Sequence, residues 1–230
     1  GAGVQKADYT KIARPGTGGE ARGGSKPWLY NAVAAWRFDN GVIAYASYSK
    51  GLEESGSAPI TAVNRNAVLP AVRTTQREAG VRTAVGPLTL TSSVFDVRRP
   101  YDGVEASLSG EPIEGLSVVL GAVLLDPEVR GDEVERGLIG RRPVGQSRMQ
   151  WQASVDYAPG IVEGLSVDMT VDHNAKTTAR GDNRADAPAY TLVNAGLRQE
   201  FGLWGQEASL RAQVQNLFDE QGFFVEGDGE

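Results

Sequence analysis

Met149-Gln150-Trp151-Gln152-Ala153-Ser154-Val155-Asp156-Tyr157 is the stretch that decides the fold. Met149, Trp151, Ala153, Val155 and Tyr157 alternate with Gln150, Gln152, Ser154 and Asp156. Side chains of an extended strand point to opposite faces in turn, whereas a helix returns to one face every ~3.6 residues. Only a strand sorts these nine residues into an apolar and a polar face. The pattern recurs at Leu165, Val167, Met169 and Val171, set against Ser166, Asp168, Thr170 and Asp172. It recurs again at Ala208, Leu210, Ala212 and Val214, set against Ser209, Arg211, Gln213 and Gln215. Nearer the start, Trp28, Tyr30, Ala32, Ala34, Trp36 and Phe38 form one row.

Composition narrows the class. The 230 residues carry a net charge of -6 and a sequence pI of about 5.0, with no long basic run, so a nucleic acid is not an expected partner. Cysteine is absent, which excludes a disulfide framework, a Cys-ligated zinc site and a Cys nucleophile. No stretch approaches the ~20 apolar residues of a membrane-spanning helix. Membrane-spanning strands need only ~9–11 residues and are polar at alternate positions, which the 40% apolar content allows. The chain begins at Gly1 with no signal peptide, so a processed or cut N-terminus is expected.

Period-two alternation predicts eleven strands, over 3–13, 28–38, 42–50, 76–84, 88–98, 103–110, 116–125, 147–158, 165–173, 190–201 and 206–216. Most have nine or more residues, longer than the ~5–6 usual in soluble domains. The connections alternate in length. Residues 39–41, 85–87, 111–115, 159–164 and 202–205 are short turns, and 14–27, 51–75, 126–146 and 174–189 are long loops. Only 99–102 breaks the alternation. Asp39-Asn40-Gly41 is a turn sequence with a mechanism, because Asn and Gly tolerate positive φ.

Alternation alone leaves two architectures open. In a β-sandwich the apolar face points to a core. In an outer-membrane barrel it points to lipid, the polar face lines a wet lumen, periplasmic turns are short and extracellular loops long. Strand length and sorted loops favour the barrel. So does the placement of Trp28, Trp36, Phe38, Tyr157, Phe201 and Trp204 near strand ends, where aromatic girdles sit. The fold class expected is all-β: an antiparallel up-and-down transmembrane β-barrel segment of about eleven strands. Trp151, Val155, Val167, Met169, Leu210 and Val214 are then expected to face lipid, and Gln150, Gln152, Asp168 and Arg211 the interior. Turns 39–41 and 202–205 are expected to be periplasmic, and loops 51–75 and 126–146 extracellular.

Three stretches resemble the C-terminal barrel of TonB-dependent siderophore receptors. Val42-Ile43-Ala44-Tyr45-Ala46-Ser47-Tyr48-Ser49-Lys50-Gly51-Leu52 is similar to one of that family's strands. After a long loop, Gln76-Arg77-Glu78-Ala79-Gly80-Val81-Arg82 resembles the strand that follows, and Leu90-Thr91-Ser92-Ser93-Val94-Phe95-Asp96-Val97 the next. Leu210-Arg211-Ala212-Gln213-Val214-Gln215-Asn216-Leu217-Phe218-Asp219 resembles the near-terminal Asn-Leu-Phe-Asp strand, the most specific of these motifs. Gly103-Val104-Glu105, Leu124-Leu125-Asp126-Pro127 and Ala187-Pro188-Ala189-Tyr190 fall in the expected order. The resemblance spans most of 28–220. It implies a bacterial outer-membrane location, lipid around the barrel, a ferric siderophore as cargo, and a TonB complex engaged through a plug domain that nothing in 1–230 resembles. A receptor of the same family for cobalamin or a glycan, or a soluble β-sandwich binding module, are the alternatives.

The departures set further expectations. Residues 1–230 read as one partial barrel domain with the plug absent and the last strand missing after Asn-Leu-Phe-Asp. Eleven strands would leave two unpaired edges, and lipid-exposed edges are costly. Arg99-Pro100-Tyr101-Asp102-Gly103 joins segments that usually flank a longer loop, so residues are expected to be lost between Pro100 and Gly103.

No catalytic constellation is expected, and an enzyme is the least favoured reading. His173 is the only histidine, which excludes a multi-histidine metal site. Gly16-Thr17-Gly18-Gly19 lacks the Lys-Ser/Thr of a phosphate loop and reads as a flexible loop. Asp168 and Asp172 share a strand face, where a hydrated lumen explains them better than acid–base work. Asp182 and Asp186 lack the spacing of a calcium loop. The resemblance assigns no cofactor, since iron would arrive already chelated. It also assigns no substrate-binding residue, because the family's loop and plug contacts differ between ligands.

Overall fold

The computed structural model describes residues 1–13, 21–54, 67–68, 71–97, 101–223 and 225. The strands are β1 (Ala2–Lys6), β2 (Tyr9–Ala13), β3 (Ala21–Ser25), β4 (Trp28–Arg37), β5 (Ile43–Glu53), β6 (Val72–Val85), β7 (Leu88–Val97) and β8 (Tyr101–Ile113). They continue as β9 (Leu116–Pro127), β10 (Met149–Tyr157), β11 (Leu165–Asn174), β12 (Thr177–Thr178), β13 (Asp186–Ala187), β14 (Tyr190–Leu203) and β15 (Gln206–Val214). One short helix, α1 (Asp132–Glu135), interrupts the loop before β10.

Eleven strands form one sheet in the order β1-β4-β5-β6-β7-β8-β9-β10-β11-β14-β15. β1 and β15 end this order, so the sheet is not closed into a ring among the described residues. Contacts divide the chain into two compact units. One comprises Gly1–Trp36, Tyr45–Ala79 and Phe95–Arg99, and the other Arg37–Ala44, Gly80–Val94 and Pro100–Glu230.

In the first unit, β1 pairs antiparallel with β4 so that Val4 lies opposite Tyr30 and Lys6 opposite Trp28. The Lys6 ammonium sits 5.8 Å from the centre of a Trp28 ring. The expected strand 3–13 is split there. At Ala7–Asp8 the chain leaves the sheet, and β2 pairs instead with β3, inside what reads from sequence as loop 14–27. Tyr9–Ala13 has no consistent apolar face to hold it in the main sheet. The glycines of β3 admit a close partner: a Cβ at Gly24 would stand 2.9 Å from the Tyr9 carbonyl oxygen. The expected flexible loop at Gly16–Gly19 lies outside the described residues, as does most of loop 51–75.

In the second unit the strands match the alternation closely. The clearest differences lie at strand ends. β8 starts at Tyr101, with Tyr101 opposite Pro127 and Asp102 opposite Asp126, so 101–102 continue a strand rather than form a loop. Residues 98–100, where the expected loss adjoins, lie outside the described residues. β8 also runs on to Ile113 through a register shift between Gly110 and Ile113, which shrinks the expected turn 111–115 to Glu114–Gly115. β14 reaches Leu203, which leaves Trp204–Gly205 as the turn into β15. Both residues have positive φ (52° and 79°), the geometry of a two-residue type I′ hairpin.

The described residues form almost no core. Among them the buried apolar residues are Ala187, 7% exposed, and the prolines Pro27 and Pro127, and no large side chain is fully buried. A water-soluble domain of this length removes most of its unfolded-chain surface from solvent and hides large apolar side chains in doing so. Here Leu210 is 66% exposed, Trp36 69% and Trp204 92%. A β-sandwich would bury such residues between two sheets, so the single uncovered sheet sets the sandwich aside.

Candidate functional site

Register in the second unit converts the sequence alternation into two faces. Val155 lies opposite Val118 and Met169, Met169 opposite Ala195, and Ala195 opposite Val214. Val167 lies opposite Tyr157 and Leu197. Trp151 lies opposite Ala122 and His173. Residues directly opposite on an antiparallel pair share a face. Trp151, Val155, Val167, Met169, Leu210 and Val214 therefore share one face, as expected from sequence, and form part of an apolar belt from β8 to β15.

Gln150, Gln152, Asp168 and Arg211 share the other face, which is cross-linked by polar side chains. Gln152 Nε2 donates to Asp172 Oδ1 at 2.6 Å, and the Ser154 and Thr170 hydroxyls lie 3.0 Å apart. Arg198 Nε donates to Ser166 Oγ at 3.2 Å, with Asp156 at 4.0 Å and Glu200 at 3.6 Å completing its surroundings. Arg211 Nη2 donates to Asp168 at 3.2 Å. Asp168 and Asp172 thus take different partners and do not act as a pair. A concavity of about 380 Å³ opens over Gly121, walled by Glu105, Ser107, Gln150, Gln152 and Asp172. No side chain fills that position, and a Cβ on Gly121 would meet nothing within 4 Å.

His173 belongs to the belt face. Its ring stacks on Trp151 with centroids 5.4 Å apart and planes 19° from parallel, and Nδ1 lies 2.8 Å from Thr191 Oγ1. Its partners are an aromatic ring and a hydroxyl, which fits a packed interfacial residue.

At one end of the sheet, residues 128–148 link β9 to β10 and 175–189 link β11 to β14. The two segments meet. Gly140 N–H donates to the Gly181 carbonyl at 2.7 Å, and Gly145 N–H to the Thr178 carbonyl at 3.0 Å. Asn183 accepts from the Arg142 N–H at 2.7 Å and donates to the Arg142 carbonyl at 2.8 Å. Asp186 takes Arg142 at 3.4 Å and Lys176 at 3.1 Å. The hydrogen bond from Lys176 and the positive charges of Arg142 and Lys176 hold the Asp186 carboxyl below its ordinary value, against the opposing effect of burial. Asp182 pairs separately with Arg180 at 2.9 Å, so Asp182 and Asp186 do not converge on one point.

After β15, Asn216 redirects the chain. It has φ 50°, donates through Nδ2 to the Glu220 carbonyl and accepts the Glu220 N–H at Oδ1, both at 2.9 Å. Asn194 Oδ1 in turn receives the Asn216 N–H at 2.9 Å. Asn-Leu-Phe-Asp is therefore a closed turn at the strand end, with Phe218 exposed. Sequence reasoning did not single out Arg142, Asn183, Asn194, Gly196 or Arg198. Their roles depend on which strand or loop lies opposite, and local alternation carries no signal of that.

No family model matches the chain. Among curated proteins it is 23% identical over 203 residues to the ferrichrome receptor FcuA of Yersinia enterocolitica, covering 78% of this chain and 27% of that protein. It is 28% identical over 214 residues to a ferrioxamine B receptor of Salmonella typhimurium, covering 83% of this chain and 30% of that protein. The chain thus spans less than a third of the length of these relatives. Among solved structures, the siderophore receptor PiuA of Acinetobacter baumannii superposes with a TM-score of 0.73 at 16% identity, covering 97% of this chain and 38% of that one. In sequence and in fold, most of this chain is similar to a stretch of a TonB-dependent siderophore receptor, and its eleven-stranded sheet, open among the described residues, matches part of that barrel fold.

Proposed function

We propose that the chain is the C-terminal part of the barrel of a bacterial outer-membrane receptor that takes up ferric siderophores. The observation that carries this reading is the apolar belt that the fold leaves uncovered. In water such a belt is a liability, whereas hydrocarbon covers it at no cost to the polar face behind it. The polar face with its concavity then lines the lumen, and the joined loops 128–148 and 175–189 stand at the outer rim. The cargo is inferred from the relatives, which are receptors for ferrichrome and ferrioxamine B. Transport energy would come from a TonB complex acting on a plug domain. The family resemblance supports that partner, and so does a lumen face of polar side chains fit for contact with a water-filled or protein-filled interior. The named relatives are receptors, which supports transport over catalysis.

The test is growth. A strain deleted for the complete gene, held under iron limitation, is supplied with ferrichrome, ferrioxamine B, cobalamin or a glycan mixture. Loss of growth on a ferric siderophore, restored by the gene and dependent on TonB, is the expected result. Loss only on cobalamin or on the glycans would move the protein to another nutrient.

A further inference from the structure

We propose that loops 128–148 and 175–189 move as one rigid body, with Asn183 as the residue that joins them. Two independent loops of this length would keep their polar groups satisfied internally or by water. These two exchange them. Gly140 and Gly145 in the first loop donate main-chain hydrogen bonds to Gly181 and Thr178 in the second. Ser147 and Thr177 form an isolated antiparallel bridge, and the Ser147 hydroxyl donates to the Ala175 carbonyl at 3.1 Å. The Asn183 side chain binds both main-chain polar groups of Arg142, as a strand partner would. The Arg142 guanidinium returns to the Asn183 carbonyl at 3.4 Å and to Asp186 at 3.4 Å.

The local backbone is shaped for this contact. Asn183 sits at φ 56°, a conformation in which Asn is enriched among non-glycine residues. Gly140 faces it without a side chain, and a Cβ there would overlap the Asn183 amide. Ser147 and Thr178, 2% and 3% exposed, are among the few buried polar residues of the chain, and both lie in this contact. A partner or ligand that displaces one loop must therefore displace the other, or break this set of mostly part-buried hydrogen bonds.

Hydrogen exchange in the full protein tests this, and the test holds whatever the cargo. Asn183→Gly keeps the positive φ and removes both side-chain bonds to Arg142, together with the longer one to the Arg180 carbonyl in its own loop at 3.4 Å. The expected result is faster exchange, by roughly tenfold, at the Gly140 and Gly145 amides in one loop and at Ala179 in the other, with the β10 and β11 amides unchanged. Arg142→Ala keeps the main-chain partners of Asn183 and removes only the guanidinium contacts to the Asn183 carbonyl and Asp186, so it should give a weaker version of the paired pattern. Arg180→Ala, which breaks a pair within one loop, should leave Gly140 and Gly145 alone. Faster exchange confined to 175–189 in Asn183→Gly would overturn the proposal. Paired loosening by Arg180→Ala would equally overturn Asn183 as the joint.

Discussion

Arg211 on β15 reaches past β14 to Asp168 on β11, with Nη2 3.2 Å from Oδ1 and 3.3 Å from Oδ2. The residue between them, opposite Asp168, is Gly196. A Cβ there would stand 2.6 Å from Oδ1. The missing side chain lets one ion pair tie three strands together near the edge of the sheet. Gly196→Val is therefore expected to push the pair apart and destabilise the strands by about 1–3 kcal/mol, the usual cost of overpacking. Asp168→Asn should cost about 1 kcal/mol or less, because Arg211 is half exposed and the pair is screened. Thermal unfolding of both variants in detergent, read as loss of strand signal, checks the ranking. A larger loss for Asp168→Asn than for Gly196→Val would show that the gap at Gly196 is unimportant.

The belt makes a second prediction. Val155→Arg and Met169→Arg place a charge among Val118, Ala195 and Val214, and should each cost ~2–4 kcal/mol in a bilayer. Gln152→Arg, on the polar face beside Asp172, should cost little. Reversible folding of the complete receptor into lipid vesicles, titrated with denaturant, gives these differences. Equal penalties on the two faces would contradict a lipid-facing belt.

Asn216 supplies the third. Asn216→Ala removes two side-chain to main-chain bonds and puts a Cβ-bearing residue without local polar contacts at φ 50°. The expected cost is roughly 1–3 kcal/mol. Asn216→Gly should recover part of it by relieving the backbone while leaving the bonds broken. If the two variants unfold alike, the positive φ contributes nothing and only the hydrogen bonds matter.

These particulars show what the sequence makes legible. Trp151, Val155, Met169 and Leu210 could be assigned to one face because a strand's period is a local property, readable from one segment at a time. Asn-Leu-Phe-Asp could be read as a turn for the same reason, since Asn bonds its own backbone neighbours. The departure of Tyr9–Ala13 from the main sheet could not be read, because it depends on pairing with Ala21–Ser25. Nor could the joining of Asn183 to Arg142, 41 residues apart. Long-range polar partners are chosen by tertiary proximity, and a lone Asn in a polar loop carries no mark of it.

The loop joint has a defined response to pH. Asp186 is held below its ordinary value by Lys176 on its own loop and Arg142 on the other. A carboxylate with a depressed folded-state value contributes stability that is complete above its unfolded value and is lost as pH falls through the folded one. The joint should therefore be unchanged from pH 7 to pH 5 and loosen only as pH falls below the ordinary carboxylate value. Exchange at Gly140 and Gly145 followed across this range is the measurement. Loosening between pH 7 and pH 5 would mean that another group controls the contact.

Orientation is the last prediction. Residues 128–148 and 175–189 connect strands at one end of the second unit, while Phe38–Val42, Glu114–Gly115, 158–164 and Trp204–Gly205 connect them at the other. The short end is built for tightness. Phe38 N–H donates to the Val42 carbonyl at 2.8 Å, Gly41 has φ 83°, and Asn40 Oδ1 accepts the Val42 N–H at 3.2 Å. Trp204 projects from a two-residue turn almost fully exposed, a placement that an aromatic belt at a membrane interface accounts for. In outer-membrane barrels short turns are periplasmic and long loops extracellular. The chain has no cysteine, so each introduced thiol is a unique label site within it. In intact cells carrying the complete receptor, Arg136→Cys and Arg180→Cys should react with a membrane-impermeant maleimide. Asn40→Cys and Gly160→Cys should react only after the outer membrane is opened. Reaction at Asn40→Cys in sealed cells, with Arg136→Cys silent, would invert the topology and place the joined loops in the periplasm.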